Sequence, residues 1–179
     1  VRIALDATPL SVPIGGIRRY VEEVTRSLLA DFPANEYWYF SDQPFSNAES
    51  AIRTCSPPTS FFEKRWWMLG ASRQAARLGI DVFHGTDFAV PYLPRCASVM
   101  TLHDLSPWRE NGVAGGASSS RVRTRTKALL RMRVPTMIVT PSEAVRREAI
   151  ELFSWPASRI VAIPLAPASW LKSRLEIVD

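Results

Sequence analysis

Asp81-Val82-Phe83-His84-Gly85 and Ser98-Val99-Met100-Thr101-Leu102-His103-Asp104 are the two stretches on which the fold of this chain turns. Each is a short apolar run of the kind that forms a buried strand. Each also closes on one of only two histidines in the 179 residues. A third run, Arg2-Ile3-Ala4-Leu5-Asp6-Ala7, leads into a loop that ends Gly15-Gly16-Ile17 ahead of a helix. In an open parallel α/β sheet, ligands bind in the crevice beyond the carboxyl ends of the strands. Three strand ends would then deliver a glycine pair, two imidazoles and several carboxylates to one rim.

The segments between these runs alternate in hydrophobic period. Residues 17–29 carry Ile17, Tyr20, Val21, Val24 and Leu28 at helical spacing. Residues 36–40 (Glu-Tyr-Trp-Tyr-Phe) read as a second strand. Residues 43–60, with Pro44, Pro57 and Pro58, read as loop around a short strand near 51–54. A helix is expected over 62–78, ending at Gly79 in a natural C-cap position. The two histidine strands follow, separated by a loop with Pro91 and Pro94. Residues 111–120 (Asn-Gly-Val-Ala-Gly-Gly-Ala-Ser-Ser-Ser) are expected to be flexible and partly disordered by their Gly and Ser content. A basic helix, a strand at 136–140, a helix capped by Ser142 and running through Phe153, and a strand at 159–163 complete the pattern. Strands alternating with helices imply right-handed crossovers, hence an α/β, Rossmann-like, doubly wound and mostly parallel sheet.

Length allows one well-buried α/β domain and not two ordinary ones. Hydrophobic content of 46% with 22% charged residues is that of a globular protein. No apolar run approaches the ~20 residues that cross a bilayer. The chain opens directly into a strand, so no signal peptide is expected, and Val1 implies that an initiator methionine was removed or left out. Cys55 and Cys96 fit no metal spacing and make no disulfide framework, which agrees with a reducing cytoplasm. Net charge is +5, so an anionic partner has to be considered. Residues 111–142 hold no acid, while Arg121, Arg123, Arg125, Lys127, Arg131 and Arg133 all fall there. That run is either a solvated helix face or a patch for anionic lipid, a phosphorylated acceptor or nucleic acid; alternating arginines do not make one helical stripe. Nucleic acid is not expected, since no recognised reading motif is present.

A glycine pair before a helix lets the backbone come close to a ligand, and the helix start offers free N–H groups to an anion. Neither the dinucleotide fingerprint nor the P-loop is present. Arg18 and Arg19 oppose the helix dipole at its N-terminus, which a nearby phosphate would offset. His103 leaves its strand at the rim, where it either meets a ligand or bonds to a local carbonyl. The same two readings hold for His84, followed at once by Gly85, Thr86 and Asp87. Two histidines and several aspartates could ligate a metal, but the spacing fits no metal motif and none is expected. Trp66 and Trp67 are adjacent in a helix and cannot both face one core stripe. One is expected in the core; the other, beside Lys64 and Arg65, suits an acceptor groove or a membrane surface.

Taken together, these residues resemble the N-terminal domain of the retaining family-4 (group 1) glycosyltransferases. The features that match are Gly15-Gly16-Ile17-Arg18-Arg19-Tyr20-Val21, Asp81 to Gly85, Thr101-Leu102-His103-Asp104-Leu105, Val139-Thr140-Pro141-Ser142-Glu143 and Arg159-Ile160-Val161-Ala162-Ile163-Pro164. They occur in family order over nearly the whole chain, and the flavour is that of bacterial mannosyltransferase-like members acting on polysaccharide or lipid-linked acceptors. The resemblance implies one half of a GT-B fold, in which two Rossmann-like domains face each other, the first binding acceptor and the second nucleotide-sugar. Residues 1–167 would be the first domain and 168–179 the start of the linker or a tail, with the second domain, its Glu-x7-Glu motif and its Arg/Lys pair lying outside the chain.

The resemblance implies that Gly15 and Gly16 form the loop approaching the donor diphosphate. It makes His103 the histidine that contacts the transferred sugar, and Asp104 a residue that orients acceptor or histidine. Arg18 stands where many relatives have a small residue. The acceptor-side candidates are Arg18, His84, Asp87, Trp66, Trp67, Arg121, Arg123 and Arg125. The implied partners are a nucleotide-sugar, which is a substrate so that no cofactor is required, and a glycan or lipid-linked acceptor. The implied place is the cytoplasm, with peripheral contact at an anionic inner membrane face. The competing expectation is an acceptor-binding domain without turnover.

Overall fold

The computed structural model describes residues 1–46, 49–108 and 116–165, without the side chains of residues 107, 116–119 and 121. Seven strands form its sheet: β1 Arg2–Asp6, β2 Glu36–Phe40, β3 Arg53–Thr54, β4 Val82–Gly85, β5 Ala97–Thr101, β6 Met137–Thr140 and β7 Ile160–Ala162. Their order is β3-β2-β1-β4-β5-β6-β7, and every neighbouring pair is parallel. The chain winds outward from β1 to β3, then returns past β1 and winds the other way. The sense of winding therefore reverses between β1 and β4, which makes that seam the topological switch point where such sheets bind ligands. Leu5 of β1 lies in register with His84 of β4.

The helices are α1 Gly16–Asp31, α2 Phe61–Lys64, α3 Ala71–Leu78, α4 Gly116–Arg131 and α5 Glu143–Phe153. Side chains alternate across a strand, and the sheet has a core on each side. Leu5, Tyr37 and Tyr39 face Val21, Val24 and Leu28 of α1. Ala4, Phe40, Phe83, Met100 and Ile138 face Ala71 and Ala75 of α3, Leu129 and Leu130 of α4 and Ala149 of α5. The helix ends follow local chemistry. Gly79 ends α3 in the left-handed region at φ 61, and the Ser142 side chain accepts from the Val145 N–H at the start of α5.

Two expectations need correction. The helix expected over 62–78 is interrupted: α2 is a short turn closed by a Ser60–Glu63 capping box. Arg65 leaves the helical region at ψ 62, and a π-helical turn, Trp66–Gly70, precedes α3. A Cβ on Gly70 would fall on the Glu63 carbonyl, so this glycine is what allows α2 to fold back so closely. Of the flexible stretch expected over 111–120, residues 116–120 are helical. Residues 111–115, like 168–179, lie outside the described residues. Among the described residues, no helix is long and apolar enough to cross a membrane.

Candidate functional site

The site is built from the ends of β1, β4 and β5. At the end of β1, the Asp6 carboxylate accepts from the Thr8 N–H (3.0 Å) and the Thr8 hydroxyl (2.6 Å), which turns the chain into a short 3-10 helix, Thr8–Ser11. Burial pushes the Asp6 carboxyl up to about 7, against the pull of the Thr8 hydrogen bonds. The loop then reaches Gly15 and Gly16, where an added Cβ would meet nothing within 4 Å. The glycine pair thus fronts open space. No side chain caps α1, so its first N–H groups face that space without a side-chain acceptor.

Arg18 is occupied. Its guanidinium donates to Glu22 (2.8 Å) and to the carbonyls of Leu10 (2.6 Å) and Val12 (3.0 Å), clasping the loop to α1. Its conflict with the helix dipole is thereby offset within the chain and needs no phosphate. Arg19 is exposed.

The histidines converge. His84 Nε2 lies 2.8 Å from Thr101 Oγ1, and that oxygen lies 3.0 Å from the Tyr20 hydroxyl. Burial, with the neighbouring His103 adding to it, pushes the His84 imidazole down to about 4, so it is neutral near pH 7. His103 Nε2 lies 2.8 Å from the Thr86 carbonyl oxygen. A carbonyl only accepts, so Nε2 carries the proton and Nδ1 is the nitrogen without a partner among the described residues. The Thr86 hydroxyl in turn donates to the Asp6 carbonyl at 2.7 Å, joining the β4 loop to β1. Tyr20 packs edge-to-face on both imidazoles, at 6.4 Å from His84 and 4.8 Å from His103 between ring centroids. His84, His103 and the glycine loop therefore share one end of the sheet.

The remaining candidates divide. Burial raises the Asp87 carboxyl, with His103 and Arg125 drawing it back. Arg125 turns inward from α4 and sets its guanidinium 4.8 Å from the centre of the Trp67 ring. Its Nε is buried with no hydrogen-bond partner among the described residues. Arg123 is exposed, and the Arg121 side chain lies outside the described residues. Trp66 is corrected from acceptor-side candidate to core: it is 2% exposed and packs on Phe40, because the π-helical turn rotates it under the sheet. Asp104 is exposed and bonds neither histidine. Its Oδ1 accepts from the Ser106 N–H (2.8 Å) and hydroxyl (2.6 Å), forming the turn that leaves the site.

Sequence reasoning named Tyr20, Thr86 and Thr101 only as members of longer runs, with no site role of their own, and missed Phe88 altogether. A threonine in a strand reads as strand propensity, so its hydroxyl gives no signal of its own. Among the described residues, no group of three His, Cys, Asp or Glu side chains is placed to hold a metal ion. A cavity of about 250 Å³ lies elsewhere, between α3 and residues 93–95.

The sequence profile of Glycosyltransferase Family 4 matches residues 14–166. The chain belongs to that family. The matched stretch takes in the glycine pair, both histidines and the α5 cap. The chain is also similar to O-antigen chain mannosyltransferase B of Escherichia coli, at 27% identity over 187 residues, covering 94% of this chain and 48% of that protein. A crystal structure of a glycosyltransferase from Rickettsia africae superposes with a TM-score of 0.51 at 12% identity, covering 99% of this chain and 49% of that one. The latter likeness is one of fold. The chain spans about half the length of both.

Proposed function

We propose that this family-4 domain, residues 1–167, is the acceptor-side half of a GT-B enzyme that moves a sugar from a nucleotide-sugar to a polysaccharide or lipid-linked acceptor with retention at the anomeric carbon. Residues 168–179 would begin the connection to a donor-binding half. The observation that carries the reading is His103, one strand from the switch point and bonded to the loop that follows β4, its Nδ1 unpartnered among the described residues, on the same rim as an uncapped helix start behind two glycines. The bond from the anomeric carbon to the diphosphate breaks, one to the acceptor oxygen forms, and the acceptor's hydroxyl proton passes to the leaving diphosphate, giving a glycoside and a nucleoside diphosphate. In such a reaction a protein acts mainly by positioning both reactants and by stabilising charge on the leaving group. The N–H groups at the start of α1 suit that anionic group. His103 Nδ1 suits a sugar hydroxyl, which donates to it. The nucleotide-sugar is consumed as substrate, and no cofactor or metal enters the reading.

The mannosyltransferase likeness makes a nucleoside diphosphate mannose the first donor to try. The exposed Arg123 on α4 is a cation available to an anionic membrane surface, in keeping with a peripheral contact; the cytoplasmic face is part of the reading only through the family resemblance.

The test is made in the longer enzyme that carries this domain. His103→Ala is expected to lower turnover by on the order of 10²–10³, or ~3–4 kcal/mol, the usual cost of one preorganised polar contact. Its melting temperature should fall by only a few degrees, the worth of about 1–2 kcal/mol for the Thr86 hydrogen bond and the two ring contacts. A variant that melts much lower yet keeps its specific activity makes His103 structural and removes the reading. Specific retention of acceptor by the 179-residue chain, with no turnover even in the longer protein, would favour a binding domain instead.

A further inference from the structure

Two aromatic rings flank the His103 imidazole, and neither is required by the chemistry proposed above. Tyr20, in the first turns of α1, stands edge-to-face with its centroid 4.8 Å away and its plane at 87°. Phe88, in the loop between β4 and β5, stands 5.7 Å away at 71°. Both rings are anchored through Thr101. The Tyr20 hydroxyl lies 3.0 Å from Thr101 Oγ1 and His84 Nε2 lies 2.8 Å from it. Thr101 has one hydroxyl hydrogen and two lone pairs, so it cannot donate to both neighbours: it donates to one while accepting from the other, or it accepts from both the Tyr20 hydroxyl and the His84 N–H.

Phe88 is held in the left-handed region at φ 54, a costly conformation for a bulky residue. Its N–H donates to the Thr101 carbonyl (3.2 Å), and its own carbonyl accepts from the Thr126 hydroxyl of α4 (2.7 Å). Strained residues of this kind persist only where their surroundings over-determine them. Here the surroundings are a central strand on one side and a helix on the other.

We propose that Tyr20 is a positioning residue for His103: its ring, tied down at Thr101, and that of Phe88 hold the imidazole with Nε2–H committed to the Thr86 carbonyl and Nδ1 offered outward. This rests on the reading of His103 as the residue that meets the sugar. Edge-to-face packing fixes the plane of a ring, and the bond made by one imidazole nitrogen fixes the role of the other. Without the Tyr20 ring the imidazole is free to turn about its side-chain axis, and the outward nitrogen is no longer defined.

NMR of the imidazole nitrogens in the 179-residue chain reads the tautomer, and Overhauser contacts between the Tyr20 and His103 ring protons read the packing. The wild type is expected to show the Nε2–H form and strong contacts. Tyr20→Leu, which keeps apolar bulk without a ring, should populate both tautomers, and Tyr20→Phe should restore the single form. In the longer enzyme, Tyr20→Leu should lower kcat about ten- to hundredfold, in keeping with the cost of a small misplacement, with KM for the nucleotide-sugar unchanged. Tyr20→Phe should recover most of that rate. Absence of the Tyr20–His103 contacts in the wild type overturns the proposal even if Tyr20→Leu does not fold. So does a Tyr20→Leu variant that keeps both tautomer and kcat. If the tautomer scrambles while transfer continues undisturbed, the clamp stands and the sugar-contact reading of His103 falls.

Discussion

Burial holds the Asp6 carboxyl near a pKa of about 7 and the His84 imidazole near about 4, displacing each from its ordinary value in the direction of its neutral form. Between about pH 4 and 7 the folded chain keeps a proton on Asp6 that the unfolded chain has released, so stability falls as pH rises. The full contribution is on the order of 4 kcal/mol, present below the unfolded pKa and lost through the folded one. His84 acts in the opposite sense. Between about pH 4 and 6.5 the unfolded chain binds a proton there that the folded chain refuses, so stability rises with pH. Two single variants separate the effects. Asp6→Asn, whose side-chain oxygen can still accept from Thr8, should tilt the stability profile upward with pH, and His84→Gln should tilt it downward. Urea unfolding at several pH values from 4 to 7 measures both slopes; equal slopes for the two variants would contradict the burial assigned to these groups. Both histidines were legible in the sequence because each ends an apolar run. Phe88 was not, because no glycine or asparagine marks its left-handed backbone; that conformation is imposed by Thr101 and Thr126, far away in sequence.

α4 shows why a charge run has to be read one turn at a time. Arg123 and Arg125 are two residues apart, which on a helix places them on opposing faces. Arg123 accordingly meets solvent, while Arg125 lies against Trp67 of the π-helical turn. The consequences of substitution should diverge. Arg123→Ser is expected to leave stability within about 0.5 kcal/mol and to weaken binding to anionic vesicles by about fivefold, the worth of one surface cation near ~1 kcal/mol. Arg125→Ser should instead destabilise by about 1–2 kcal/mol, through lost stacking and stem packing, with less effect on vesicles per unit of folded protein. Sedimentation with vesicles and urea titration, run on the same two variants, check this. An equal loss of vesicle binding in both would restore a single basic face. The interruption at Arg65 was invisible in the sequence for a related reason. Apolar spacing continues across it, and the break depends on how closely Glu63 approaches Gly70, a contact the sequence pattern does not carry.

At the scale of the molecule, adjacent residues of β1 belong to different cores: Ala4 to the tryptophan-bearing side, Leu5 to the tyrosine-bearing side. The described tryptophans Trp38, Trp66, Trp67, Trp108 and Trp155 all lie on the first side; of the four described tyrosines, Tyr20, Tyr37 and Tyr39 lie on the second and Tyr92 on the first. Because the sheet is shared, loss of one face removes the support of the other. Tryptophan fluorescence and tyrosine near-ultraviolet signals should therefore trace one coincident urea transition, the mark of two-state unfolding. Separate midpoints would mean that α1 and its face can detach from a persisting remainder. Alternating strand and helix signals made the parallel architecture legible, and family order did the same for the glycine loop and the histidine rim. The anchoring by Thr101 was not legible, since it joins α1, β4 and the following loop through one residue.

The position of β1 between β2 and β4 also sets an order of events during synthesis. On the ribosome, β1, α1 and β2 emerge first and can pair at once, but the other edge of β1 has to wait for Val82–Gly85. At about 5–20 residues per second, that edge stands open for on the order of seconds. Its exposed backbone is a template for any passing strand. The interval is a property of the winding order, and slower translation between β2 and β4 would lengthen it while leaving the finished structure the same.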